Sequence, residues 1–171
     1  SDPSGDGPSP GQDITRTEAR YDDQQGSVSF TVRLGAAPAG SLQVTTALGR
    51  TASDGSCGAP MILLGAFLPD GSTIWLLERD GSSPAEEQDE ATRQVSDKTL
   101  TLKASDPRLK GLKPNCAVAV LSDPDSAATV YDETASFPVK PPPPKPRLAA
   151  KMGKVGPLKR RATKLISVRV A

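Results

Sequence analysis

The sequence predicts an all-β fold, an antiparallel β-sandwich of about eight or nine short strands. Three observations predict it: short runs of alternating apolar and polar residues recur from residue 14 to residue 132, turn residues separate them, and no stretch has the period of a long amphipathic helix. At 171 residues the chain is long enough for one domain with a proper core and something smaller beside it. Aromatics make up only 4% of the chain, so Val, Leu, Ile and Thr must build the sheets.

Residues 1–12 are a polar, Gly/Pro-rich lead-in without periodicity. Ile14, then Arg16 to Tyr21, reads as an edge-type strand ended by Asp22-Asp23-Gln24-Gln25-Gly26. Val28, Phe30, Val32 and Leu34 alternate with Ser27, Ser29, Thr31 and Arg33, which puts one face on a core and one in water. Gly35 to Gly40 turn the chain, and Leu42, Val44 and Thr46 repeat the alternation in a third strand. Gly49 to Ala59 is a polar loop carrying Cys57. Met61 to Phe67 is apolar on both faces and bounded by Pro60 and Pro69, which suits a short strand in the middle of a sandwich. Pro69-Asp70-Gly71 is turn chemistry, and Thr73 to Leu77 returns from it to complete a hairpin in which Trp75 is expected to be the largest core side chain.

Glu86, Glu87, Asp89 and Glu90 crowd one sign of charge into an acidic, Ser/Pro-rich stretch, the mark of a solvated loop. A short strand near Arg93–Val95 turns through Ser96-Asp97-Lys98 into the alternating Leu100 and Leu102. Asp106 is placed to cap, and Pro107 to open, one helical turn over Arg108 to Leu112. Cys116 to Leu121 is another buried strand, Asp123-Pro124-Asp125 a turn, and Thr129 to Asp132 the approach to the end of the unit.

Charge divides the chain sharply. Residues 1–139 hold all 20 acids against 11 bases, a net of −9, while residues 140–171 hold the other 10 bases and no acid. Pro138, Pro141 to Pro144 and Pro146 make an extended, semi-rigid spacer between the two. The expected domains are therefore a β-sandwich over residues 1–139, a linker over 140–146 and a basic segment over 147–171. Within the last, Leu148 to Met152 and Leu165 to Val170 have strand character, but two strands do not bury a face of their own. Its bases either lie on the solvent faces of an incomplete Ig-like domain or form a patch for an anionic polymer, a cell-wall polymer or nucleic acid. With no aromatic in residues 140–171 to stack a base, specific nucleic-acid recognition is disfavoured.

The chain has no histidine, which excludes Ser-His-Asp and Cys-His catalysis, histidine metal ligation and imidazole base chemistry. Cys57 and Cys116 have no soft ligand beside them and are expected to form one disulfide. The longest apolar run, Met61 to Leu68, is too short to span a membrane as a helix. An opening Ser-Asp-Pro-Ser-Gly-Asp reads as a mature start behind an export signal, and with the disulfide it points to a secreted or cell-surface protein.

Calcium is the one ligand the residues suggest. Hard cations take carboxylate and carbonyl oxygens, and Asp2, Asp6 and Asp13 lie in a Gly/Ser-rich stretch that can wrap one, joined by Asp132 if the end of the sandwich returns beside its start. The competing role is turn capping, since Asp before Gly commonly bonds its own backbone. Catalysis by paired carboxylates, the alternative class, needs a facing pair, and none stands out.

The opening Asp2 to Gly7, the Gln12-Asp13-Ile14 that follows a Gly/Pro spacer, and the strand ending Ser-Val-Ser-Phe-Thr-Val-Arg-Leu together resemble the start of DOMON-like extracellular β-sandwich domains. These are similar to family-nine carbohydrate-binding modules and to accessory domains of secreted glucan-degrading enzymes. The resemblance covers residues 2–139; more weakly, Pro146 to Val170 resembles the first strands of a bacterial Ig-like, adhesion-type domain. It implies a non-catalytic binding or spacer module of an exported bacterial protein, with Asp2, Asp6 and Asp13 at the acidic positions that hold calcium in some relatives. The implied partners are a cell-surface glycan or anionic polymer and the adjacent domains of the same polypeptide. Neither haem nor a nucleotide is expected: haem lacks a His here, and Met61 and Met152 are the only methionines. Sugar platforms need exposed aromatics, whereas Tyr21, Phe67, Trp75 and Tyr131 read mostly as core.

Overall fold

The computed structural model of the chain describes residues 5–38, 40–58, 61–68, 73–77, 86–87 and 91–144. The fold is all-β. Its first strands are β1 (Ile14–Asp22), β2 (Ser27–Leu34), β3 (Leu42–Gly49), β4 (Ile62–Leu68), β5 (Thr73–Leu77) and β6 (Glu86–Glu87). They are followed by β7 (Thr92–Ser96), β8 (Thr99–Ser105), β9 (Cys116–Asp123), β10 (Ser126–Glu133) and β11 (Phe137–Lys140). Two single 3₁₀ turns, Pro10–Gln12 and Pro107–Leu109, are the described helical elements.

The strands run in the order β6-β5-β4-β3-β9-β11-β1-β2-β8-β7, with β10 paired to β9. This is two sheets over one core. One contains β7, β8, β2 and β1, the other β6, β5, β4, β3, β9 and β10, and β11 pairs with a strand of each. Among the described residues every pairing of strands is antiparallel except that of β1 with β11, so the sheet system is mixed. Inward residues of both halves meet in the core: Phe30 and Leu102 from one side, Leu64, Val44 and Leu121 from the other. Thr46 is fully buried among them, and its hydroxyl donates to the Leu64 carbonyl at 3.0 Å, which satisfies the polar atom that the alternation carries inward there.

β1 departs from the expected edge strand. It lies between β2 and β11, and its exposed-looking charges Arg16, Glu18 and Arg20 belong to the outer face of an interior strand. A bulge after Ile14 breaks the register with β2, which shifts the parity so that both Ile14 and Ala19 face the core. Two strands exceed the expected eight or nine. β6 pairs Glu86 and Glu87 with Leu77 and Leu76 inside the stretch read as a solvated loop, and β11 forms in the approach to the prolines. The helical turn after Asp106 is shorter than Arg108 to Leu112, ending at Leu109. Trp75 lies in β5 as expected, opposite Leu64, but its side chain and the Pro69-Asp70-Gly71 turn lie outside the described residues.

The disulfide forms as expected between Cys57 and Cys116, whose Cα atoms are 5.6 Å apart. It ties the β3–β4 loop to the first residue of β9. Pro141 to Pro144 leave β11 exposed and without regular structure, and the basic segment 147–171 lies outside the described residues. Among the described residues no helix is long and apolar enough to cross a membrane.

Candidate metal centre

Asp6, Asp13 and Asp132 meet at one end of the sandwich, each offering a carboxylate oxygen within 4.8 Å of the others. Local chemistry brings the first two together. Pro10 starts the 3₁₀ turn and Asp13 ends it as the last residue before β1. The Gly5 N–H donates to Asp13 Oδ1 at 2.9 Å and folds the lead-in back over the turn. Gly7 passes so near that a Cβ there would stand 2.3 Å from the Gln12 carbonyl oxygen. The end of β2 closes the other side: Gly35 N–H donates to the Asp13 carbonyl at 2.9 Å, and Ala36 N–H to Pro10 at 2.8 Å.

Asp132 arrives from a distance of 118 residues. Its Oδ2 accepts the Ile14 N–H at 2.5 Å, so the irregular β10 is anchored at the start of β1. Asp13 and Asp132 are 5% and 7% exposed, whereas Asp6 is exposed. Burial pushes the Asp132 carboxyl above the ordinary aspartate range, and the nearby charges of Asp6 and Asp13 add to it; the bonds from Ile14 and Glu133 backbone oppose the shift. Among the described residues no Lys or Arg forms an ion pair with any of the three.

Two buried carboxylates and a third beside them make an electrostatically costly arrangement that a divalent cation would reverse. The dimensions suit calcium: oxygens sharing one ion at about 2.3–2.6 Å lie at most about 5 Å apart. Asp13 and Asp132 also do backbone work, Asp13 accepting the Gly5 N–H and Asp132 those of Ile14 and Glu133, and a carboxylate has lone pairs for both tasks. Of the four residues expected at a metal, the structure thus brings Asp6, Asp13 and Asp132 together, and Asp2 lies outside the described residues. Sequence reasoning missed the glycines that make room, Gly7 and Gly35; the available signal was the Gly7-Pro8 step for the first and the end of the alternating β2 run for the second.

Among the described aromatic side chains none is exposed: Tyr21 is buried, with its hydroxyl donating to the Leu109 carbonyl at 2.6 Å, and Phe67 and Tyr131 are half-buried. A separate cleft of about 540 Å³ lies on the outer face of β1, β2 and β8, lined by Arg20, Ser29 and Lys103 and walled by Pro142 and Pro143. No protein-family model, curated protein or solved structure matches the chain.

Proposed function

We propose that the chain is a non-catalytic structural or binding module of an exported protein, whose entrance is held by a calcium ion on Asp6, Asp13 and Asp132. The observation that carries this reading is the pair of nine-tenths-buried carboxylates, Asp13 and Asp132, meeting a third without a cationic side chain among the described residues. The ion would join the lead-in to β10 and offset the repulsion. The disulfide is compatible with an extracellular setting, and the likeness of residues 2–139 to DOMON-like domains points the same way.

Thermal unfolding in calcium and in chelator tests it. Calcium at 100 times its dissociation constant stabilises by about 2.7 kcal/mol, a rise in melting temperature on the order of 5–10 °C. The rise should vanish in Asp6→Asn, an exposed position whose replacement leaves the fold intact. Identical melting curves of the unaltered chain in calcium and chelator would sink the proposal.

A second reading rests on a different observation, the division of charge. Ten bases without an acid in residues 140–171 suit binding of an anionic cell-wall polymer by counterion release. Deleting residues 145–171, which spares β11, should abolish salt-dependent retention on such a polymer; absence of retention by the full chain at low salt rules the reading out.

A further inference from the structure

The strands by which the chain enters and leaves the sandwich lie side by side and run the same way. β1 begins at Ile14 and β11 ends at Lys140, with Ala19 opposite Val139 and Arg20 opposite Lys140 in the parallel register. These two pairs make up the parallel ladder, near the far end of β1; Ile14 is six residues before Arg20, so entry and exit stand roughly 20 Å apart along β1 at ~3.3 Å per residue. Tension carried by the chain therefore acts along the strands. Under it β1 must slide past β2 and β11 together, and β11 must slide past β9.

The antiparallel bonds of β1 to β2 lie across that direction and the parallel ones of β1 to β11 at a slant to it, so the pull shears both sets together instead of opening them from one end. Eight register pairs hold β1 to β2. Additional locks sit at both ends of the loaded ladder. Ile14 N–H is held by Asp132 at 2.5 Å; at the other end Lys140 Nζ meets Glu18 at 2.9 Å, and Arg20 Nη1 donates to the Pro141 carbonyl at 3.2 Å. β11 itself is gripped from the other sheet, where Val139 N–H donates to the Asn115 carbonyl at 3.1 Å next to the disulfide-bonded Cys116. Since Val139 N–H points toward β9, that of Lys140 points toward β1.

We propose that this sandwich is a force-bearing spacer, in which the parallel β1–β11 junction is the clamp that resists tension between its two ends. The disulfide limits its stretch: it withholds a 59-residue separation from extension even after the clamp gives way. The proposal stands on strand order, register and the hydrogen bonds along β1 and β11, and it needs no bound cation.

Single-molecule force spectroscopy of the full chain, set between reference domains, tests it. Load entering before Ile14 and leaving after Lys140 should give one high-force rupture. The same chain held through Thr92 and Ser105, neighbouring ends of the β7–β8 hairpin, should open stepwise at lower force. Lys140→Pro removes the N–H facing β1 together with the ammonium. It should abolish the high-force event end to end while leaving the force across Thr92 and Ser105 unchanged, a selectivity that general destabilisation does not give. Reduction of the disulfide should lengthen the extension by roughly 200 Å, at up to about 3.6 Å per residue. Equal forces in the two loading geometries overturn the proposal, and so does an undiminished end-to-end rupture in a folded Lys140→Pro chain. Should that variant fail to fold, the comparison of geometries in the unaltered strands decides alone.

Discussion

Glu18 takes hydrogen bonds from the Lys140 ammonium at 2.9 Å and from Arg20 Nε at 2.6 Å, and these hold its carboxyl below the usual 4.5. A carboxyl whose pKa is lower folded than unfolded stabilises above the unfolded value, and the contribution fades as pH falls through the folded one. Acidification from pH 6 downward through 4.5 should therefore loosen the β1–β11 junction. The partners are partly exposed, with Lys140 at 50%, so the effect is of surface-pair size, up to about 1 kcal/mol. Urea midpoints of the unaltered chain and Glu18→Gln should differ at pH 7 and converge at acid pH; a constant gap would contradict this sign. Asp106 follows the same rule through Arg108, whose guanidinium and N–H hold its carboxyl low.

Among the strands, β2 shows how much a period-2 pattern determines. Val28, Phe30, Val32 and Leu34 are all buried, and Phe30 stands between Ala19 of β1 and Leu102 of β8. The small Ala19 leaves the space the ring fills. Phe30→Ala should cost about 3–5 kcal/mol of unfolding free energy by chemical denaturation, because neither flanking strand can collapse into the void. A cost under 1 kcal/mol would show the core to be loosely filled there. β6 and β11 were not legible, for physical reasons. β6 consists of two glutamates and pairs through backbone, so no apolar pattern announces it. In β11, Pro138 breaks the strand pattern, yet it pairs with Cys116 because a proline needs only to be spared an N–H at that position.

For the whole molecule, the disulfide joins parts of the sheet far apart in sequence. Closing a 59-residue separation removes roughly 4 kcal/mol of unfolded-state entropy. Replacing Cys57 and Cys116 together by Ala should lower the stability by about that amount in urea, and an unchanged midpoint would mean the unfolded chain is already compact.

The sequence alone determined the all-β class, nearly every strand, the cystine pairing and a set of acids worth testing for a cation. Those features are local or arithmetical: alternation, turn residues, two cysteines and no histidine. Only the tertiary structure decided that β1 is interior, that β11 joins the two sheets in parallel with it, and that Asp132 reaches Asp13. Such juxtapositions depend on which strand edges pair after the chain has crossed between sheets. Hydrophobic periodicity says which face of a strand is buried and is silent on which neighbour lies at its edge.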